Sequence, residues 1–219
     1  MKTEDRKRVM VAIPSGDMVN ADFMMSLLQM CMVTMGQGDV DVMVDNWKGS
    51  ILPVSRESLI NNALQRGATH VLFVDSDMVF PAETLLRLLS HDELVVACNC
   101  VTKRLPATPT ARDYDPMDQG GSVVYPPESW SPGDPDLREV WRIGTGVMML
   151  DCSLFEDLPK PWFPIVWDDA LQTYRGEDWS FCENLQAKEI PIYIDVPLSY
   201  AIKHQGKLDF DMTCVEQPS

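Results

Sequence analysis

The segment HVLFVDSDMVFP, residues 70–81, decides how the fold of this chain is interpreted. Four apolar residues, 71–74, lead directly into Asp75 and Asp77. A short apolar run bounded by polar residues is typical of a strand buried on both faces. Two carboxylates at the end of such a strand raise the question of whether a cation binds there.

Patterns of strand and helix alternate on both sides of this segment. Strands are predicted at 8–14, 39–47, 70–77 and 93–101, with helices at 20–38, 55–67 and 81–89. Ser55 is the expected cap of the second helix, and Pro81 the expected first residue of the third. This alternation predicts an α/β fold, with a mostly parallel central sheet and helices on both faces.

Residues 103–138 interrupt the alternation. They are dense in Pro, Gly and Asp, so regular helix is improbable, and we interpret them as a flap over a site within a single domain, 1–219. The pattern resumes with a strand and short helix in 140–158. A helix beginning near Asp178 and a last strand at 191–196 complete it.

Composition narrows the class of protein. A net charge of −15 argues against a broad nucleic-acid surface, although Lys103, Arg104 and Arg112 form a basic cluster in the flap. The N-terminal apolar run is too short for a signal peptide, and no stretch reaches membrane-spanning length, so a cytoplasmic protein is expected. The six cysteines form no CxxC pair and are expected to be reduced thiols.

The position of the two aspartates suggests a metal site. In open α/β sheets, ligands bind beyond the carboxyl ends of the strands, which is where Asp75 and Asp77 are predicted to lie. Mg²⁺ and Mn²⁺ bind one or two carboxylates while substrate phosphates fill other positions. The simpler alternative is that both acids only solvate the loop before the next helix.

The order of the motifs resembles the GT-A glycosyltransferases, in particular short family 2-like members of bacterial or phage type. In that family a DxD motif, here 75–77, holds a divalent cation against the diphosphate of a nucleotide sugar. Three further stretches fit the same pattern: VAIPSGD at 11–17, GEDWSFC at 176–182 and KHQGK at 203–207. The resemblance covers residues 8–207, with the flap unmatched.

The resemblance implies a reaction and a set of site residues. A sugar would move from a nucleoside diphosphate sugar to an acceptor hydroxyl, with Mn²⁺ or Mg²⁺ as cofactor; UDP is the expected nucleotide, with GDP left open. The acceptor is left open among a glycan, a protein and a hydroxylated DNA base. The implied metal ligands are Asp75, Asp77 and His204, and the other implied donor-binding residues are Pro14, Ser15, Arg56, Ser76 and Lys207.

The implied catalytic residues are Asp178, as the base of an inverting transfer, and Glu177, which would position acceptor hydroxyls. Acids in the first turn of a helix are also stabilised by the helix dipole, without any catalytic role. An imidazole ligand at His204 would favour Mn²⁺ over Mg²⁺. Three tryptophans flank the candidate base and are candidates for sugar contacts or for the core: Trp162, Trp167 and Trp179.

Two other functions remain open at this point. The segment DSDMV also fits haloacid-dehalogenase-like phosphatases, in which Asp75 would be the nucleophile, Asp77 the acid/base, and 168–169 the late acidic pair. That motif normally opens its domain, whereas here two strand–helix units precede it. The other alternative is a non-catalytic module that binds nucleotide sugars.

Overall fold

The computed structural model describes residues 6–115, 117–125, 135–169, 172–206 and 209–215. The first half contains β1 (Lys7–Ser15), α1 (Ala21–Gln37), β2 (Val40–Lys48), α2 (Leu52–Gln65), β3 (His70–Val74), β4 (Met78–Val79), α3 (Thr84–Ser90) and β5 (Val95–Ala97). The second half contains β6 (Arg112–Asp115), β7 (Asp118–Val123), β8 (Leu137–Val140), β9 (Val147–Asp151), α4 (Leu154–Asp157), β10 (Val166–Asp168), β11 (Thr173–Arg175), α5 (Glu177–Gln186), β12 (Ile192–Asp195), α6 (Val196–Ala201), β13 (Lys203–Gln205), β14 (Asp209–Phe210) and a short 3₁₀ helix, Met212–Cys214.

A seven-stranded sheet in the order β2-β1-β3-β9-β5-β12-β8 forms the centre of the fold. β1 is parallel to β2 and β3, and β5 is parallel to β12. β9 runs antiparallel between β3 and β5, and β8 is antiparallel to β12. The predicted α/β fold is therefore confirmed, with two reversed strands in an otherwise parallel sheet.

Helices cover both faces of this sheet because its inner strands are apolar on both sides. All five residues of β3 are buried. Val71 and Phe73 face a core that includes residues of α2, α4 and α5, whereas Leu72 and Val74 face a core with residues of α1, α3 and α6. Alternate side chains of one strand thus bind helices to opposite faces.

Two predicted helix starts are wrong. α2 begins at Leu52, with Pro53 in its first turn, so Ser55 lies inside the helix and is not its cap. The Ser55 hydroxyl instead donates to the carbonyl of Ile51, 3.3 Å away. α3 begins at Thr84 rather than Pro81, because the three residues before Thr84 form a turn outside the helix.

The 103–138 segment contains an antiparallel hairpin, β6–β7, followed by the start of β8. Arg138 donates to Asp113 at 2.6 Å, which links β8 to that hairpin. The role of this segment as a flap remains a prediction. None of the helices in the described ranges is long and apolar enough to cross a membrane.

Candidate active site at the carboxyl edge of the sheet

The DxD motif lies in a tight turn where β3 leaves the sheet. The Asp75 N–H donates to the carbonyl of Gly146 at 2.9 Å, and the Met78 N–H donates to the carbonyl of Asp75 at 3.1 Å. The chain then continues as β4. The turn places both aspartates at the carboxyl edge of the sheet, where the apolar run of β3 ends.

His204 reaches this turn through a small second sheet. β13 pairs antiparallel with β4, opposing His204 to Met78, and the Gln205 N–H donates to the Asp77 carbonyl at 2.7 Å. Nδ1 of His204 lies 2.7 Å from the carbonyl of Val101, which can only accept, so Nδ1 is protonated. Nε2 consequently faces Oδ1 of Asp77, 3.4 Å away.

Asp77 has a second cationic neighbour in Lys103, whose ammonium contacts Oδ2. Burial alone would raise the pKa of Asp77, but hydrogen bonds from His204 and Lys103 outweigh it and lower the pKa below its usual value. Asp77 is therefore ionised at neutral pH. Sequence reasoning placed Lys103 only in a basic cluster of the flap, because its contact with Asp77 spans 26 residues.

Asp75 is held by a different cation. Its Oδ1 accepts from Nη2 of Arg56 at 3.1 Å, and Nε of Arg56 lies 3.5 Å from Oε1 of Glu177. Arg56 is only 2% exposed, with its guanidinium 5.2 Å from the Phe73 ring centroid. Burial and the neighbouring Asp77 raise the pKa of Asp75, while Arg56 opposes that shift.

Asp178 occupies the first turn of α5, beside Glu177. Its Oδ1 accepts from the backbone N–H of Trp179 at 2.8 Å. Burial, reinforced by the charge of Glu177, raises the pKa of Asp178 to about 6, against the opposing effects of that N–H and of Arg56. A carboxyl group with a pKa near the working pH is suited to act as a general base.

The chemistry of the donor set fits a divalent cation, but a closed ligand cage is not formed. Within the described residues, no three His, Cys, Asp or Glu side chains are grouped as a metal site requires. Asp75 is turned to Arg56, and the ammonium of Lys103 stands against Asp77. Nε2 of His204, which faces Asp77, is nevertheless the ring nitrogen that is not committed to the backbone, and with two carboxylates it suits Mn²⁺.

A cleft of about 250 Å³ borders the DxD turn. It brings together six of the predicted donor-binding and metal residues with three that sequence reasoning missed and one neighbour from the motif at 11–17. The lining residues are Pro14, Ser15, Gly16, Gly49, Ser50, Leu52, Asp75, Ser76, Asp77 and His204.

Three lining residues, Gly49, Ser50 and Leu52, were missed although a signal for them exists. They follow β2, which is paired in parallel with β1, so the two strands end side by side. The Gly49 N–H donates to the carbonyl of Ser15 at 3.0 Å. Lys207, which was predicted to bind a phosphate, lies outside the described residues.

The three candidate tryptophans have different surroundings. Trp162 is 2% exposed and packs against Phe155, so it belongs to the core. Trp179 lies beside the guanidinium of Arg142, at 4.9 Å. Trp167 alone of the three is exposed on the surface, on the hairpin formed by β10 and β11.

Comparison with solved structures identifies the class of fold. At the sequence level, no protein-family model and no curated protein matches the chain. The three-dimensional fold is of the GT-A class, which confirms the fold predicted from the sequence.

Two solved structures illustrate the similarity. The structure of A197 from STIV matches with a TM-score of 0.59 at 16% identity, covering 98% of each chain. GalNAc-T7 with UDP, GalNAc and Mn²⁺ matches with a TM-score of 0.52 at 12% identity, covering 90% of this chain but 43% of GalNAc-T7. At these identities the similarity establishes the fold and not the activity.

Proposed function

We propose that this chain is a metal-dependent glycosyltransferase that moves a sugar from a nucleoside diphosphate sugar, with UDP as nucleotide, to an acceptor hydroxyl. One observation carries the proposal: the buried guanidinium of Arg56 contacts both Asp75 and Glu177. The DxD turn and the carboxylates at the start of α5 therefore belong to one site. A donor diphosphate and an acceptor hydroxyl can bind on either side of this bridge.

Asp75, Asp77 and His204 would hold the cation, and Pro14, Ser15 and Ser76 would contact the nucleotide. When bound, a divalent ion neutralises charge on the leaving diphosphate. Lys207 is proposed to assist by binding a phosphate.

Asp178 would act on the acceptor while Glu177 orients its hydroxyl. The acceptor oxygen forms a bond to the anomeric carbon as the bond from that carbon to the diphosphate breaks, and Asp178 takes the hydroxyl proton. Attack from the face opposite the leaving group inverts the anomeric centre. Because the pKa of Asp178 is raised only to about 6, the residue is a carboxylate, able to accept a proton, at neutral pH.

The phosphatase alternative gains no support from the arrangement of the acids. The DxD turn follows the third strand along the chain, after two strand–helix units. Asp168 is paired with Arg175 at 3.4 Å, and Asp169 accepts from Nε1 of Trp167 at 3.0 Å. The late acidic pair is thus engaged within its own hairpin.

Calorimetric titration of UDP and GDP, with Mn²⁺ and again with EDTA, tests the donor site. We expect UDP to bind only with Mn²⁺, and Asp77→Asn to weaken that binding at least tenfold because it removes a charged ligand. Asp92→Asn is the matched control, since Asp92 has a positive φ of 53° that asparagine tolerates and lies outside the cleft. Absence of metal-dependent binding of either nucleotide would contradict the proposal.

A further inference from the structure

The hairpin of β10 and β11 presents an aromatic pair to solvent. Trp167 and Tyr174 oppose each other across the two strands, with ring centroids 5.0 Å apart and planes at 75°. They are 45% and 68% exposed. Large aromatic side chains usually bury most of their area, so a pair with both rings exposed on neighbouring strands is a candidate binding surface.

An ion pair between Arg175 and Glu183 connects the opposite face of this hairpin to α5. Arg175 contacts Glu183, and Glu183 also accepts from Arg142 at 2.6 Å. Side chains alternate across a strand, so this network holds one face while Trp167 and Tyr174 point the other way. The Trp167 indole N–H is satisfied by Asp169 within the hairpin. The aromatic pair is therefore presented on a supported surface.

The aromatic pair is close to the candidate base along the chain. Tyr174 precedes Asp178 by four residues, so their Cα atoms are at most about 14 Å apart. Contact of Glu177 with Arg56 places this end of α5 at the edge of the sheet that carries Asp75. An oligosaccharide of two or three rings can span from the base to the aromatic pair.

We propose that Trp167 and Tyr174 form the acceptor platform and that the acceptor is a neutral carbohydrate, a proposal that rests on the glycosyltransferase function above. The C–H face of a pyranose ring packs on an aromatic ring. Nucleobases also stack on aromatic residues, but binding their strands requires a cationic groove. Here Asp168 and Asp169 lie in the hairpin, Glu177 and Asp178 follow it, and Arg175 pairs with Asp168 and Glu183. This acidic setting disfavours a phosphate-bearing acceptor and accepts an uncharged one.

Binding of neutral oligosaccharides in the absence of donor tests the platform directly. Binding of cellotriose, maltotriose and chitotriose to the protein is measured by ligand-observed NMR. The oligonucleotide dT10 is measured in the same way, as a probe for a nucleic-acid acceptor. Trp167→Ala and Tyr174→Ala are compared with Tyr114→Ala, a matched control. Tyr114 is 67% exposed and pairs edge-on with Trp141 at 5.3 Å, on a different hairpin.

We expect at least one oligosaccharide to bind to the wild type and to Tyr114→Ala. Trp167→Ala should weaken that binding at least tenfold, while the calorimetric affinity for UDP with Mn²⁺ stays unchanged. In transfer assays the same variant should raise the acceptor KM with donor hydrolysis unaffected. Three results would contradict the proposed acceptor platform. They are equal oligosaccharide binding by all variants, no oligosaccharide binding by the wild type, and binding of dT10 alone.

The two proposals fail in different ways. Suppose that the wild type binds an oligosaccharide but no nucleotide, and that Trp167→Ala loses the oligosaccharide binding. The carbohydrate-binding surface is then supported and the transferase function is contradicted. If UDP binds with Mn²⁺ but Trp167→Ala changes neither oligosaccharide affinity nor acceptor KM, the transferase function stands and the platform falls.

Discussion

At the scale of single residues, the environment of Asp178 separates it from the other acids of the site. Asp75 and Asp77 each contact a cationic side chain, Arg56 and Lys103 respectively. Asp178 has a backbone N–H as its hydrogen-bond donor and is the one whose pKa is raised to about 6. Neighbouring carboxylates with different pKa values suit different roles, one as base and others as ligands.

Asp178→Asn should strongly lower the transfer rate while leaving UDP binding intact. General base catalysis contributes roughly 10²- to 10⁴-fold, so we expect a loss of that order in the transfer rate. In the wild type the rate should fall as the pH drops below about 6, because Asp178 becomes protonated. Steady-state kinetics between pH 4.5 and 8 check this. A rate that is unchanged in the variant would exclude Asp178 as the base.

The same substitution has a consequence for stability. The folded-state pKa of Asp178 exceeds its usual value of 3.8, so ionisation of the folded state costs free energy above pH 6, and this cost disappears as the pH falls towards 4. Asn carries no charge, so Asp178→Asn should raise the free energy of unfolding by about 1–2 kcal/mol at pH 8 and by less at pH 4.5. Urea denaturation at both values measures the difference.

At the scale of elements, the first turn of α5 depends on the residue that precedes it. Gly176 is the N-cap, with φ −65°, a conformation open to any residue. A Cβ at that position would nonetheless lie 2.8 Å from Oδ1 of Asp178. Glycine is therefore needed here for the space taken by the candidate base, and not for backbone freedom.

Gly176→Ala should displace the Asp178 carboxylate and lower the transfer rate at least tenfold. The loss in unfolding free energy should be about 1 kcal/mol, because alanine is a poorer N-cap than glycine. Gly36→Ala in α1 is the control, since a Cβ there meets no atom within 4 Å. Activity assays with urea denaturation check both; full activity in Gly176→Ala would show that the Asp178 position is not critical.

At the scale of the whole molecule, Arg56 joins three separate elements. It extends from α2, contacts Asp75 after β3, and contacts Glu177 at the start of α5. Its side chain is almost fully buried, and Nη1 has no hydrogen-bond partner among the residues that the structure describes. The DxD turn and the first turn of α5, which we propose to bind donor and acceptor, are consequently linked by one charge, whose removal would leave two carboxylates uncompensated.

Arg56→Met should lower the free energy of unfolding by about 3 kcal/mol, the order observed when one partner of a buried ion pair is lost. It should also raise the pKa of Asp178 further, because the opposing effect of Arg56 is removed. Arg56→Lys keeps the charge and should recover part of both. Arg66→Met, at the exposed end of the same helix, is the control. Equal unfolding midpoints for Arg56→Met and its control would contradict the bridging role.

Local pattern in the sequence predicts most of the fold's elements and the candidate acids. The apolar run of β3, the alternation in β2 and the glycine that ends α1 at Gly38 are local signals, and each marks an element within a few residues. Asp75 and Asp77 are identifiable because they follow a buried strand directly. Helix starts at Leu52 and Thr84 were missed because turn residues and helix-start residues share the same preferences.

Sequence by itself determined the α/β class, the position of the DxD turn and the acids at the start of α5, since these depend on neighbours along the chain. The tertiary structure alone decided the reversed insertion of β9 between β3 and β5, because hydrophobic periodicity does not encode strand order. It also decided which cation each aspartate contacts. Arg56 meets Glu177 across 121 residues, and His204 meets Val101 across 103, so only folding brings them together.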